Sequence, residues 1–204
     1  MAFTYSIHDD GWDAIASWVL IVDPASSNAT PLAGPTDGIA CHELAWAPDG
    51  SELVAFSTSV VKESGWLSRI DAETGADLGD LVGPRYFEYW QDPAFSPDGR
   101  WVASAVTNIA ALITNQGTVS YGITLVSRGG TAQRVISKSE TLFWGNPSWS
   151  PNGRWVVADR GPRDATHIVL CRTSVRSPAV DTGVEGEQPV WRPGTQAAAG
   201  AAAQ

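Results

Sequence analysis

Histidines come first in a search for metal or acid–base chemistry, and the three here, His8, His42 and His167, stand far apart, with neither a His-x-x-x-His nor a His-Glu-x-x-His spacing. Such spacings place two imidazoles on one face of an element, within reach of one ion, so no metal site of that kind is expected. His42 beside Glu43 is the one adjacent acid–base pair, and a lone histidine near a loop more commonly serves packing or solvation. Asp9, Asp10 and Asp13 offer oxygen ligands to a hard cation, but the segment lacks glycine at the sharp-turn position of a calcium loop. No Gly-x-Ser-x-Gly occurs, the elbow that exposes a nucleophilic serine in α/β-hydrolases. These residues point away from catalysis and call for no cofactor.

Binding chemistry is better represented. Tyr86, Phe87, Tyr89 and Trp90 crowd one short segment, and Phe143 and Trp144 another; exposed aromatics of this kind anchor interfaces, and aromatics so placed can equally cap the blade tops. Glu43, Asp92, Asn146 and Gln188 each stand just ahead of an expected aromatic strand. Such a set can accept peptide amides or a cation. It can equally tie neighbouring loops together through hydrogen bonds to backbone, the commoner use of acidic and amide side chains in turns. The candidate binding set is therefore Glu43, Tyr86, Tyr89, Trp90, Asp92, Trp144 and Asn146, with Tyr86, Tyr89, Trp90 and Trp144 expected to be exposed on one face beside Glu43 and Asp92.

The elements that position these residues follow from an internal repeat. Leu44-Ala-Trp-Ala-Pro-Asp-Gly50, Pro93-Ala-Phe-Ser-Pro-Asp-Gly99, Pro147-Ser-Trp-Ser-Pro-Asn-Gly153 and Pro189-Val-Trp-Arg-Pro-Gly194 are copies of one unit, recurring at steps of roughly 40 to 55 residues, the size of a propeller blade. Proline presets the second turn position, Asp or Asn tolerates the next, and glycine takes the left-handed conformation without steric cost. Gly50, Gly99 and Gly153 are thus expected at positive φ. Apolar segments follow each turn, as in Leu53-Val-Ala-Phe56, Trp101-Val-Ala-Ser104 and Trp155-Val-Val-Ala158, and further strands are expected at Trp18–Val22, Trp66–Ile70, Tyr121–Val126, His167–Cys171 and Ala132–Ile136. Four strands per unit make an all-β chain of four-stranded antiparallel blades, about four blades' worth. Trp46, Phe95, Trp149 and Trp191 share one repeat position, which assigns them to packing between blades.

The Trp-Ser-Pro-Asp-Gly-like motif followed by an Arg-Trp-Val-Ala-like strand resembles the TolB-like propeller repeat, a relative of the WD repeats, across nearly all of the chain before Thr195. The resemblance implies a β-propeller. It also implies a non-enzymatic scaffold for a protein or peptide partner, or else the propeller part of an enzyme, either a prolyl-oligopeptidase-like gating domain or an oligogalacturonate-lyase-like protein. A glycan-binding module using Tyr86, Tyr89, Trp90 and Trp144 as stacking platforms is a further reading. Ala2-Phe-Thr-Tyr-Ser6 resembles Val54-Ala-Phe-Ser-Thr58, so the first unit begins inside a blade. That favours an arc of a larger propeller over a small closed ring. Residues 1–194 form the repeat domain and 195–204, rich in Ala and Gly, a disordered tail.

Composition agrees. Hydrophobic residues make up 43% and charged ones only 17%, with 20 glycines and 13 prolines, a balance that suits short strands and turns. The formal net charge of −9 and the lack of any Lys/Arg cluster remove the electrostatic footprint of a nucleic-acid binder. The longest apolar run, Trp18–Val22, cannot span a bilayer. Met1–Asp10 shows no export signal; the family resemblance implies a periplasmic or extracellular setting if such a signal is missing from this chain. Cys41 and Cys171 are expected to be free, partly buried thiols.

Overall fold

A computed structural model describes residues 2–8, 14–23, 25–34, 39–59, 64–114, 117–162, 165–174 and 177–191. The acidic trio Asp9, Asp10 and Asp13 and the 195–204 tail lie outside them, as does the side chain of His8. The described residues form four antiparallel sheets in chain order. The first holds β1 (Ala2–His8), β2 (Ala14–Asp23) and β3 (Asn28–Ala33); the second, β4 (Ala40–Trp46), β5 (Glu52–Ser59), β6 (Ser64–Asp71) and β7 (Asp77–Val82). The third holds β8 (Glu88–Phe95), β9 (Trp101–Asn108), β10 (Ser120–Ser127) and β11 (Gln133–Ser139), with a single-turn helix α1 (Ala110–Thr114) between β9 and β10. The fourth holds β12 (Phe143–Trp149), β13 (Trp155–Gly161), β14 (His167–Arg172) and β15 (Val180–Glu185). Each sheet meanders between sequence neighbours, the arrangement of a propeller blade.

The Pro-Asp-Gly turns set the spacing. Gly50, Gly99 and Gly153 have φ of +73°, +67° and +67°, where a Cβ would cost about 1–2 kcal/mol. Their amides close the turns onto the carbonyls of Ala47, Ser96 and Ser150 at 2.9, 2.9 and 2.8 Å. In the third and fourth sheets the serine before proline adds a brace, its Oγ accepting the Trp101 or Trp155 amide at 3.0 Å.

Three apolar seams hold the blades together. Val19 packs with Leu53, Ala55 and Ile70 between the first and second sheets. Val54, Leu67, Leu81, Trp90, Val102 and Val126 fill the second seam, and Ala103, Ile123, Leu125, Trp144, Trp149 and Val156 the third. Among the described residues no core cluster joins the fourth sheet to the first.

The motif aromatics divide along these seams. Trp149 is buried, its indole donating to the Ala94 carbonyl at 2.9 Å, and Phe95 is half-buried against the second seam. Trp46 contradicts the expectation of burial, being 38% exposed. The inner strands β8 and β12 each pack on the innermost strand of the sheet before. Among the described residues β4 packs instead on β1 and β2 of the first sheet, and Trp46 remains partly in solvent. Trp191 is half-buried and outside any strand. Both cysteines are free, Cys171 buried and Cys41 half-buried, and burial pushes the Cys171 thiol up to about 11. Among the described residues no helix is long and apolar enough to cross a membrane.

Candidate functional site

Glu43, Asp92 and Asn146, at the bulged middles of β4, β8 and β12, and Gln188 after β15 line a depression of about 330 Å³ with Pro93, Pro147 and Pro189. Local backbone irregularity puts them there. The register of each inner strand breaks at this point, between Cys41 and Leu44, Gln91 and Ala94, and Gly145 and Ser148. Bulges of this kind re-aim a strand's groups. Asp92, Asn146 and Gln188 adopt φ of +49°, +48° and +52°, a strained choice for residues with a Cβ, and each then meets a proline.

The strain directs each amide at an acid of the preceding blade. The Asp92 amide faces the Glu43 carboxylate and favours its charge, the Asn146 amide donates to Asp92 Oδ2 at 3.0 Å, and the Gln188 amide to Asp159 Oδ2 at 2.9 Å. Asn146 breaks the run of carboxylates. Its Nδ2 donates to Asp159 Oδ2 at 2.8 Å, so Asp159 takes over as acceptor for the next unit. The set thus ties loops together, the commoner of its two sequence readings. The carboxylates also lie close enough to feel one another. The Asp92 carboxyl is raised above the ordinary aspartate range by loss of water and by the Asp159 charge, against the pull of the Asn146 amide. Glu43 is raised by the same loss of water and by the charge on Asp92. The mouth is acidic, and a cation placed there would relieve its repulsion.

The aromatic candidates do not stay together. Tyr86 is 71% exposed at the tip of the loop entering β8, with Phe87 beside it at a ring distance of 5.9 Å. Tyr89 is half-buried against Gly65, where a Cβ would meet its ring at 3.1 Å. Trp90 and Trp144 overturn the expectation of exposure: they are 3% and 6% exposed and belong to the second and third seams. Both occupy a register position filled in the second sheet by Cys41, opposite Ser57, Val106 and Arg160 respectively for Cys41, Trp90 and Trp144. They are repeat-position core residues, disguised by a small residue in the first complete blade. The four aromatics therefore form no common stacking platform.

Sequence reasoning passed over Asp159, 5% exposed on β13. Its signal was an acid at the end of the apolar run Trp155-Val-Val-Ala158. His42 is engaged, its Nε2 lying 2.8 Å from Thr58 Oγ1 and its ring 5.3 Å from that of Phe56. Among the described residues no group of three or more His, Cys, Asp or Glu is placed to hold a metal.

No family model and no curated protein matches the chain. Solved structures do. TolB from Acinetobacter baumannii is similar at 20% identity and a TM-score of 0.67, over 95% of this chain and 43% of that one. An oligogalacturonate lyase in complex with manganese is similar at 14% identity and a TM-score of 0.59, over 82% of this chain and 50% of that one. A structure of prolyl endopeptidases is similar at 14% identity and a TM-score of 0.60, over 87% of this chain and 27% of that one. The chain spans half or less of each of these proteins. The fold is that of the TolB-like β-propellers, which enzyme propellers share.

Proposed function

We propose that this chain is a non-enzymatic binding scaffold that engages a protein or peptide through the end of the blades where the acidic mouth opens. The observation that carries the reading is the exposed apolar edge at the entry to β8, the strand that carries Asp92. Tyr86 is 71% exposed and Leu112, on α1, 66%. The two segments share one backbone frame, because the Ile109 amide donates to the Phe87 carbonyl at 2.9 Å and the Leu112 amide to the Ile109 carbonyl at 2.9 Å. An exposed aromatic anchor on the blade that also carries one of the raised carboxylates, Asp92, suits a basic segment with an apolar residue at its head. The engagement of His42 with Thr58 weighs against a histidine-centred reaction at the same mouth.

Selecting a displayed peptide library on the chain tests this. Peptides carrying Lys or Arg are expected to be enriched, and Tyr86→Ala is expected to weaken them by about tenfold or more with no change in melting temperature. Glu43→Gln should weaken the same peptides and reduce the salt dependence of binding. Selected peptides that bind both variants as well as the parent would overturn the reading.

A further inference from the structure

The first seam is built like the second but does not close. In the second seam Val82, Trp90, Val106 and Val126 pack into one cluster. Strand pairing gives their counterparts in the first seam. Cys41 pairs with Ser57 as Trp90 pairs with Val106, Ile70 pairs with Leu53 as Val126 pairs with Val102, and Ala33 pairs with Val19 as Val82 pairs with Leu67. Three of the four, Ala33, Cys41 and Ser57, are smaller than their counterparts. Instead of closing on one another, all four line a cavity of about 350 Å³ between the first and second sheets, a volume within the range of small-ligand pockets.

The blades around this cavity are not spread apart. Val19 packs with Leu53, Ala55 and Ile70, and the Cys41 amide crosses the seam to Ser17 Oγ at 2.6 Å. Gly75 has φ of +72°, and a Cβ there would collide with the Leu32 carbonyl, so the turn after β6 sits tight against the first sheet. The void therefore comes from missing side-chain volume, not from a gap between blades. Ala33, Ile39 and Cys41 line it and are half-buried, so they keep surface that an occupant can cover. The serine hydroxyls of the wall satisfy each other, Ser57 Oγ lying 2.6 Å from Ser68 Oγ, which leaves the interior to an apolar group. The rim differs. Asp77 and Asp80 line the cavity and are exposed, and no Lys, Arg or His lines it among the described residues. Loss of water raises the Cys41 thiol above its ordinary range and the Asp77 charge adds to the rise, so the field of that carboxylate reaches inside.

We propose that this cavity binds a small aromatic amine, its flat ring taking the place that the Trp90 indole takes in the second seam and its ammonium group held by Asp77 and Asp80. The ring is the occupant that the repeat itself specifies, since Trp90 and Trp144 hold the position of Cys41 in the next two blades. The amine follows from charge, because two carboxylates at the rim attract an ammonium and repel an anion. The site shares no residue with the acidic mouth.

The test is a calorimetric titration of the whole chain with tryptamine, indole and indoleacetate. Tryptamine is expected to bind saturably, indole more weakly and indoleacetate most weakly. Cys41→Trp, which fills the position as the next two blades do, is expected to abolish the tryptamine titration and to raise the melting temperature. Should that variant fail to fold, Ala33→Leu narrows the cavity from the opposite sheet and is expected to abolish the titration in the same way. Asp77→Asn combined with Asp80→Asn is expected to weaken tryptamine by about fivefold and to leave indole unchanged. The proposal is overturned if tryptamine does not saturate, if it binds a folded Cys41→Trp or Ala33→Leu variant as it binds the parent, if indoleacetate binds as tightly as tryptamine, or if the aspartate variant weakens indole as much as tryptamine. A short peptide carrying tryptophan and lysine that displaces tryptamine and binds more tightly would also overturn it, because the occupant would then be a partner's side chains.

Discussion

The second and third seams of this propeller join similar blades with similar aromatics, yet they treat their polar groups in opposite ways. In the second seam, Glu52 is 2% exposed and fully engaged: Arg69 donates to its Oε2 at 2.6 and 2.9 Å, and Arg128 of the next blade to its Oε1 at 2.5 Å. Arg128 goes on to Asp49 Oδ2 at 2.7 Å and Ser51 Oγ at 2.6 Å, clasping the Pro-Asp-Gly turn of the blade before. In the third seam the Trp149 indole is satisfied, but those of Trp144 and the Arg160 Nε are not. A seam whose buried charge is matched on both oxygens is a joint. A seam that leaves two enclosed donors without partners bears their desolvation cost.

The largest effect should come from breaking the apolar part of the third seam. Trp149→Ala removes a buried ring and orphans the Ala94 carbonyl, and is expected to cost about 3–5 kcal/mol, read as a fall in the denaturant midpoint. A loss below about 1 kcal/mol would mean that the third seam does not depend on its motif aromatic as packing predicts.

Glu52→Gln breaks the second seam. Two guanidiniums lose their shared anion, but each keeps about a third of its surface in water, so the expected cost is about 2–3 kcal/mol rather than the full penalty of a buried orphan charge. The same clasp should be sensitive to acid through Asp49, whose carboxyl the Arg128 guanidinium, then the Ser51 amide and hydroxyl, hold far below the ordinary aspartate range. A folded pKa below the unfolded one stabilises above about pH 4 and is lost as pH falls toward the folded value. The melting-temperature gap between the parent and Asp49→Asn should therefore be full at pH 6 and shrink steadily below about pH 4. A gap independent of pH would mean that the Asp49 charge is not what holds the turn.

Much of the fold was legible because it is local. A Pro-Asp-Gly turn needs only its own residues, and Gly50, Gly99 and Gly153 all have the positive φ that their types imply. The alignment of Glu43, Asp92, Asn146 and Gln188 was legible for the same reason, since each keeps its distance from a motif aromatic. Register across blades was not local. Trp90 and Trp144 looked irregular because Cys41 fills their place in the first complete blade, and only the strand pairing reveals the three as equivalents. Trp46 looked regular and is exposed, because its neighbours lie on another blade, where β4 packs on β1 and β2. Asp159 and Arg128 act on residues of other blade units or strands, contacts that no pattern within one repeat encodes.

The smallest expected effect sharpens the contrast most, because it predicts almost nothing at one arginine and a clear loss at another. Arg128→Met strips Glu52 of one of two cations and frees the Asp49 turn, so a loss of about 1–2 kcal/mol is expected. Arg160→Met removes a donor that is already unmatched, keeps most of the stacking over Trp144, and gives up only a 3.3 Å pair with an Asp181 side chain 41% exposed, an interaction that solvent leaves worth little. Relief of the buried Nε offsets that loss, and the net change should lie within about 0.5 kcal/mol of zero. Chemical denaturation of the two variants side by side reads the difference directly. Equal losses would show that Arg160 serves the third seam as Arg128 serves the second, and the distinction between a closed joint and an open one would fall.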